Sequence, residues 1–413
     1  MTSETAYVWT WLPGDVNPVV AGRLDRDRDT YVFTYGRSFL ARDDSIALYL
    51  PELPLSNDTI RPIGGEIAGC LEDAAPDSWG RRVILNRIAG GNADDVAGLD
   101  IMSCLLLSGS DRIGALDFQE SPTDYKPRSI DHANLEELAD SARRVEEGIP
   151  LTPDLDAALL HGTSIGGARP KALLRDGNRQ MIAKFSSSTD TFAIVKGEFI
   201  AMELARLVGL NTASVELSRV HGKDVLLVDR FDRPANGGRR AMVSAATVIG
   251  TIGMSAIYGS YALLADQIRA RFTNPTPTLH ELFERIVFNI LIGNTDDHAR
   301  NQAAFWDGTM LTLTPAYDIC PYLRSGGEAT QAMAIGADGF RRSQVVGAIE
   351  RSATYHLDRS TAADIVNRQI AVIEEEWDRI CDRAELTKVD RDLFRLGAVL
   401  HPYALEGFST KSA

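Results

Sequence analysis

Eight consecutive residues of this 413-residue chain, Asn294 to Asn301 ("NTDDHARN"), hold two aspartates, a histidine, an arginine and two asparagines. Asn301 follows Asp296 by five positions, and a further carboxylate, Asp318, follows in "LTPAYDIC". Moving a phosphoryl group from ATP to a hydroxyl calls for that set. One carboxylate orients the hydroxyl and takes its proton, an Asn five residues on holds one Mg2+, and a second Asp meets the ions bridging the phosphates. On this spacing Asp296 is the candidate base, and Asn301 and Asp318 are candidate metal ligands. Asp297, one position out of register, is the second choice for the base. The bland alternative is a capped loop with solvated charges.

His298 between these carboxylates suggests a metal-hydrolase reading, which would need more ligands than the sequence supplies. The other histidines (132, 161, 221, 280, 356, 401) form no ligand-like pairs, and His298 is expected to be buried and bonded to the loop backbone. Upstream, "HGTSIGGARPKALL" is a Gly-containing loop that runs into a strand. Gly166, Gly167 and Ala168 are small enough to let backbone N–H groups approach phosphates. Lys184 interrupts the apolar strand "MIAKF", and Glu198, at the start of the next helix, is its candidate partner. "DAAPDSW" reads as a turn with a packed Trp79.

Elements must hold these residues in place. Thr278 and Glu281 form a capping-box pattern, and Leu279, Leu282, Phe283, Ile286, Val287 and Ile290 recur at helical spacing. Gly293 is a natural terminator. The polar cluster is therefore a loop held by the end of a buried helix. "QAAFW" and "TMLTLT" flank "DG" and predict a hairpin with Asp307 and Gly308 as its turn. That register sets Asn301 opposite Thr314 and brings Asp296, Asn301 and Asp318 to one end of one element.

Residues 5–50 read as a small antiparallel sheet of "AYVWTWL", "TYVFTY" and "IALYLP", with "LPGD" and "DRDRD" as turns. Residues 65–116 read as mostly helical, and the polar run 119–134 is the best boundary. "KALLR" and "RQMIAKF" around "DGN" predict a hairpin, "GEFIAMELARLVGL" a helix and "DVLLVDRF" a strand. Beyond 236 nearly everything but one hairpin reads as helix. The resulting division is 1–125, 126–235 and 236–413.

A chain of this length is too long for one small core. A net charge of −14 argues against direct, charge-driven binding of nucleic acid. Cys70, Cys104, Cys320 and Cys381 are dispersed, which suggests reduced thiols rather than a zinc site or disulfide framework. No signal-peptide pattern and no apolar run of membrane-spanning length is present, so a cytoplasmic protein is expected.

Taken in order, "TSIGGARPKALL", "MIAKF", "GEFIAMELARLVGLN", "LLVDRFDR", "GNTDDHARN" and "LTPAYDI" resemble the HipA family of bacterial serine/threonine kinases, the toxins of type II toxin–antitoxin modules. The resemblance is strongest over 160–320 and extends to "GEIAGCLEDAAPDSWGRRVI" and "SDRIGAL". It implies an α+β, two-lobed protein-kinase-like fold: an α/β N-terminal part with an extra N-terminal subdomain, and a mostly helical C-terminal lobe. It also implies ATP and Mg2+ as cofactors, and phosphorylation of a cytosolic protein such as an aminoacyl-tRNA synthetase to arrest growth. A HipB-like helix-turn-helix antitoxin is the implied partner and would supply the DNA contact. By the same resemblance Asp296 is the catalytic Asp, Asn301 and Asp318 bind metal, and Lys184 contacts phosphate. Ser164 is the autophosphorylated serine of the nucleotide loop, which also includes Ile165. Asp229 to Phe231 meet the adenine, and His298 joins the nucleotide-binding set. Asp297 departs from an expected Gly and Arg300 from a common Lys. A second reading is a nucleotide-binding co-repressor of the antitoxin without useful transfer, which would keep Lys184 and Asp318 but not need Asp296.

Overall fold

β1 (Thr5–Thr10), β2 (Val19–Asp27) and β3 (Thr30–Tyr35), rich in β-branched and aromatic residues, build an antiparallel sheet, which β4 (Leu116–Gln119) completes in the order β3-β2-β1-β4. This computed structural model describes residues 4–89, 99–128, 133–152, 155, 169–187, 189–251, 259–324 and 326–409. Two of the N-terminal expectations need correcting. "IALYLP" forms no strand and makes only the isolated bridge Tyr49–Leu53. Asp25 to Asp27 of "DRDRD" are paired strand residues, and the turn is confined to Arg28 and Asp29, because Asp27 pairs with Thr30.

The chain divides into two compact units. The first comprises Met1–Ser188, Ser218–Val243 and Phe305–Thr309, and the second Thr189–Leu217, Ser244–Ala304 and Met310–Ala413. A second sheet is formed by β5 (Lys171–Asp176), β6 (Arg179–Phe185), β7 (Val215–Val220) and β8 (Lys223–Asp229), in the order β5-β6-β8-β7. The hairpin expected around "DGN" is present, but Asp176 is a strand residue paired with Arg179, so the turn is confined to Gly177 and Asn178. The helix Leu135–Glu146 starts in a capping box of Asn134 and Glu137, and its Leu138, Ala142 and Val145 share a core with Met181, Ala183 and Phe185. Trp79 packs into the same core and donates from its indole to the Lys171 carbonyl at 3.0 Å.

A buried ionic network is built into the first unit. Arg230 donates to both Asp232 carboxylate oxygens at 3.0 and 2.8 Å and to Asp111 at 2.9 Å. Arg233 reaches the same two aspartates, at 2.9 and 2.7 Å, and the Gly114 N–H donates to Asp232 at 2.8 Å. Next to it Arg112 and Asp117, both fully buried, pair at 2.9 Å. The motifs "SDRIGAL" and "VDRFDR" thus lock together within one unit.

In the second unit the helix Pro275–Ile292 has a partly exposed start and is buried at Leu279, Leu282, Phe283 and throughout Arg285 to Ile292. Its start differs from expectation. Asn274 is the N-cap residue and Pro275 the first helical residue, so Thr278 lies inside the helix and donates to the Asn274 carbonyl at 2.6 Å. Glu281 instead pairs with Arg285 one turn later, at 2.5 Å. The end is as expected: Gly293 has φ +78°, and a Cβ there would meet the Ala398 carbonyl oxygen at 2.7 Å. The helices Ile194–Leu207, Tyr261–Arg271, Arg359–Arg383 and Lys388–Gly397 belong to this unit as well. Residues 314–344 contain no helix or named strand among those described, contrary to the helical reading. The remaining strands, β9 (Met242–Ser244), β10 (Ala303–Trp306) and β11 (Leu311–Leu313), are ordered β11-β10-β9. Among the described residues all four cysteines are free and buried, and no helix is long and apolar enough to cross a membrane.

Burial alone would raise the carboxyls of Asp111, Asp117 and Asp232, but the adjoining arginines hold all three below the usual carboxylate range. A depressed carboxyl contributes stability that is present above its unfolded value and is lost as pH falls through the folded one. Asp232→Asn is expected to cost about 3 kcal/mol at neutral pH in urea unfolding. That deficit should shrink as the pH is lowered below about 4.

Candidate functional site

The loop after Gly293 is pinned at Asp297. This carboxylate is 2 % exposed and accepts from the Tyr261 hydroxyl, from Asn289 Nδ2 at 2.8 Å and from Gln302 Nε2 at 3.0 and 3.1 Å. Burial pushes the Asp297 carboxyl up, while the hydrogen bonds from Tyr261 and Gln302 pull it back. A carboxylate enclosed in this way is not free to take a proton from a substrate, so the second choice of base is set aside.

Its neighbour has the opposite environment. Asp296 is exposed, and its own N–H donates to Asn294 Oδ1 at 3.3 Å. The Asp296 carbonyl accepts from the His298 N–H at 2.8 Å and from Asn301 Nδ2 at 3.3 Å. Asn294 in turn bonds Asn289 through its backbone N–H (2.8 Å) and its side chain (3.0 Å), so the loop is stitched to the last turn of the helix. His298 is half-buried, but its Nδ1 is buried with no hydrogen-bond partner among the described residues, unlike the expected backbone bond.

The hairpin register also differs from expectation. Thr314 N–H donates to the Ala303 carbonyl at 3.0 Å, so Ala303 rather than Asn301 stands opposite Thr314, and the turn takes in residues 307–310. Downstream, Asp318 adopts φ +59°, a left-handed conformation that Asp tolerates better than most residues. Tyr322 donates to Asp296 Oδ2 at 3.3 Å, and its backbone N–H donates to the Gly293 carbonyl at 3.0 Å. Burial, then Cys320, then the charges of Asp296 and Asp318 push the Tyr322 phenol up. One phenol therefore feels both carboxylates that the spacing singled out.

In the first unit Lys184 is half-buried on β6, opposite Lys171 on β5 and Leu226 on β8. Because Met181, Ala183 and Phe185 face the core, Lys184 lies on the other face of the sheet. Lys171 shares that face and is buried, with its ammonium 3.5 Å from the Asp77 carboxylate, an arrangement that offsets repulsion between the two lysines. Asp229 pairs with Arg179 at 2.9 Å, and the half-buried Phe231 meets Phe305 edge-on at 5.9 Å. Arg240 stacks its guanidinium 3.3 Å from the centre of the Phe305 ring. Glu198 is a buried residue of the helix Ile194–Leu207. Ser164, Ile165, Gly166, Gly167 and Ala168 lie outside the described residues.

The model of the HipA-like C-terminal domain matches residues 163–377, more than half of the chain, and that of the HipA N-terminal domain matches 15–119. The chain belongs to the HipA family. Y4mE of Sinorhizobium fredii is 26% identical over 361 residues, 77% of each chain. The serine/threonine-protein kinase toxin HipA of Shewanella oneidensis is 26% identical over 183 residues, 38% of this chain and 42% of that one. The structure of Shewanella oneidensis HipA solved with HipB and operator DNA superposes with a TM-score of 0.64 at 19% identity, covering 94% of both chains. The protein is thus a serine/threonine kinase of the HipA toxin family, with the two-lobed α+β HipA-like fold.

Sequence reasoning passed over Tyr261, Asn289 and Gln302, although Asn289 carried a signal: a lone amide deep in an apolar helical run. Tyr322 carried none. Asp297→Ala would leave the donors of Tyr261, Asn289 and Gln302 unmatched, and is expected to cost about 3 kcal/mol in denaturant unfolding. Asp296→Ala, at an exposed position one residue earlier, should change stability by less than about 0.5 kcal/mol.

Proposed function

We propose that this HipA-family kinase transfers the γ-phosphoryl group of ATP to a serine or threonine hydroxyl of a protein, with Asp296 as the base. The reading is carried by one observation: of two adjacent aspartates, the buried one anchors the loop and the exposed one accepts from Tyr322. Asp296 would orient the attacking hydroxyl and accept its proton. In a loose transition state, orientation and charge neutralisation contribute more than proton abstraction.

Asn301 turns its amide nitrogen to the Asp296 carbonyl, which leaves the amide oxygen as its acceptor. With the Asp318 carboxylate, that makes an oxygen donor set of the hard kind that suits Mg2+, which commonly takes one or two protein oxygens and completes its shell with phosphates and water. Bound there, Mg2+ would neutralise charge on the phosphates. Lys184, Glu198, Asp229, Phe231 and His298 keep within this proposal the nucleotide-binding roles that the family resemblance gives them. So do the 164–168 loop and its autophosphorylation at Ser164, and the division into 1–125, 126–235 and 236–413.

The protein target is proposed to be cytosolic, with an aminoacyl-tRNA synthetase as the favoured class, and the partner a HipB-like antitoxin that makes the contact with DNA. The solved relative with HipB and operator DNA supports the second of these. With γ-labelled ATP and Mg2+, Asp296→Asn and Asp318→Ala are each expected to lower label transfer by at least about 100-fold while the fold is kept. Transfer at the parent rate by Asp296→Asn would remove that residue from the role. Phosphopeptide mapping of active protein is expected to find phosphate on Ser164, and phosphate confined to other residues would reject the autophosphorylation site.

A further inference from the structure

We propose that Tyr322 is a positioning residue for phosphoryl transfer, holding the Asp296 carboxylate in the orientation that receives the substrate hydroxyl; this rests on the assignment of Asp296 as the base. Asp296 is exposed, and among the described residues Tyr322 is the one group that donates to its carboxylate, at 3.3 Å to Oδ2. An exposed carboxylate without a donor samples several rotamers, and only some of them present an oxygen to the nucleophile. Tyr322 can act as a fixed donor because its own backbone is fixed. Its N–H donates at 3.0 Å to the carbonyl of Gly293, the residue that ends the helix from which the Asp296 loop departs. Ring and loop are thus referred to the same helix end, and Asp296 Oδ1 stays open for the incoming hydroxyl.

Reach supports the same role. Tyr322 lies four residues beyond Asp318, just after the buried Cys320 and Pro321. The phenol thus joins the stretch that carries Asp318 to the loop that carries Asp296. A hydroxyl aimed at a loose transition state gains mainly from being held in line, so loss of this donor should lower turnover rather than nucleotide binding.

The test uses the full chain with labelled ATP and Mg2+, reading label transfer and ADP release. Tyr322→Phe keeps the ring and removes the donor. It is expected to lower kcat about 10-fold with KM for ATP unchanged, and with an unaltered thermal midpoint. Introduced into Asp296→Asn, the same change should cost less than about 2-fold, because no carboxylate remains to be oriented. Parent turnover in Tyr322→Phe overturns the proposal. An equal further loss on the Asp296→Asn background, or a lowered thermal midpoint that accounts for the loss, does the same by marking the residue as structural. If Asp296→Asn itself turns over at the parent rate, the base assignment has failed and the proposal goes with it; an inactive Asp296→Asn beside a normal Tyr322→Phe rejects the positioning role alone.

Discussion

A carboxylate removed from water must find its hydrogen bonds within the protein, and at Asp297 that demand organises the loop. Tyr261 comes from one helix, Asn289 from the last turn of another, and Gln302 from the approach to β10. With Asp297 fixed by all three, the backbone has little choice in how it presents its neighbours. Asp296 is turned outward, and Asn301 folds its side chain back onto the Asp296 carbonyl. The left-handed Gly293 lets the chain leave the helix beside Ala398 without collision. The dense polar cluster after an apolar helix is therefore two things in one: an internal anchor, and the chemistry that the anchor aims.

Local signals read directly from the sequence include the buried face of the helix Pro275–Ile292, its glycine terminator, the hairpin around "DGN" and the spacing from Asp296 to Asn301. Each depends on residues a few positions apart, where periodicity and backbone preference decide the outcome. The α+β, HipA-like kinase fold came from the family resemblance that the ordered motifs carry. Which of two adjacent aspartates is enclosed depended on Tyr261 and Gln302, and no local pattern announces that convergence.

The misreadings have the same origin. Thr278 and Glu281 have the spacing of a cap, but Pro275 starts the helix one turn earlier, and Arg285 claims Glu281. "DRDRD" looks like a turn until β3 supplies partners for its first half. The stretch 314–344 has apolar residues enough for a helix, yet prolines 315 and 321 and glycines 326, 327, 336 and 339 interrupt it. Tertiary partners serve part of it instead, as where Arg324 and Gln331 both bond the hydroxyl of Ser343.

The ionic lattice of Arg230, Arg233, Asp111 and Asp232 draws on two stretches of chain more than a hundred positions apart. Asp111 comes from the region matched by the N-terminal family model, and the other three from the region matched by the C-terminal one. A polypeptide begun after residue 125 would inherit two enclosed guanidinium groups with one of their two counter-ions missing. The N-terminal region is therefore not a detachable ornament on a minimal enzyme but a supplier of charge balance. Any recombination of this chain would have to carry both stretches together.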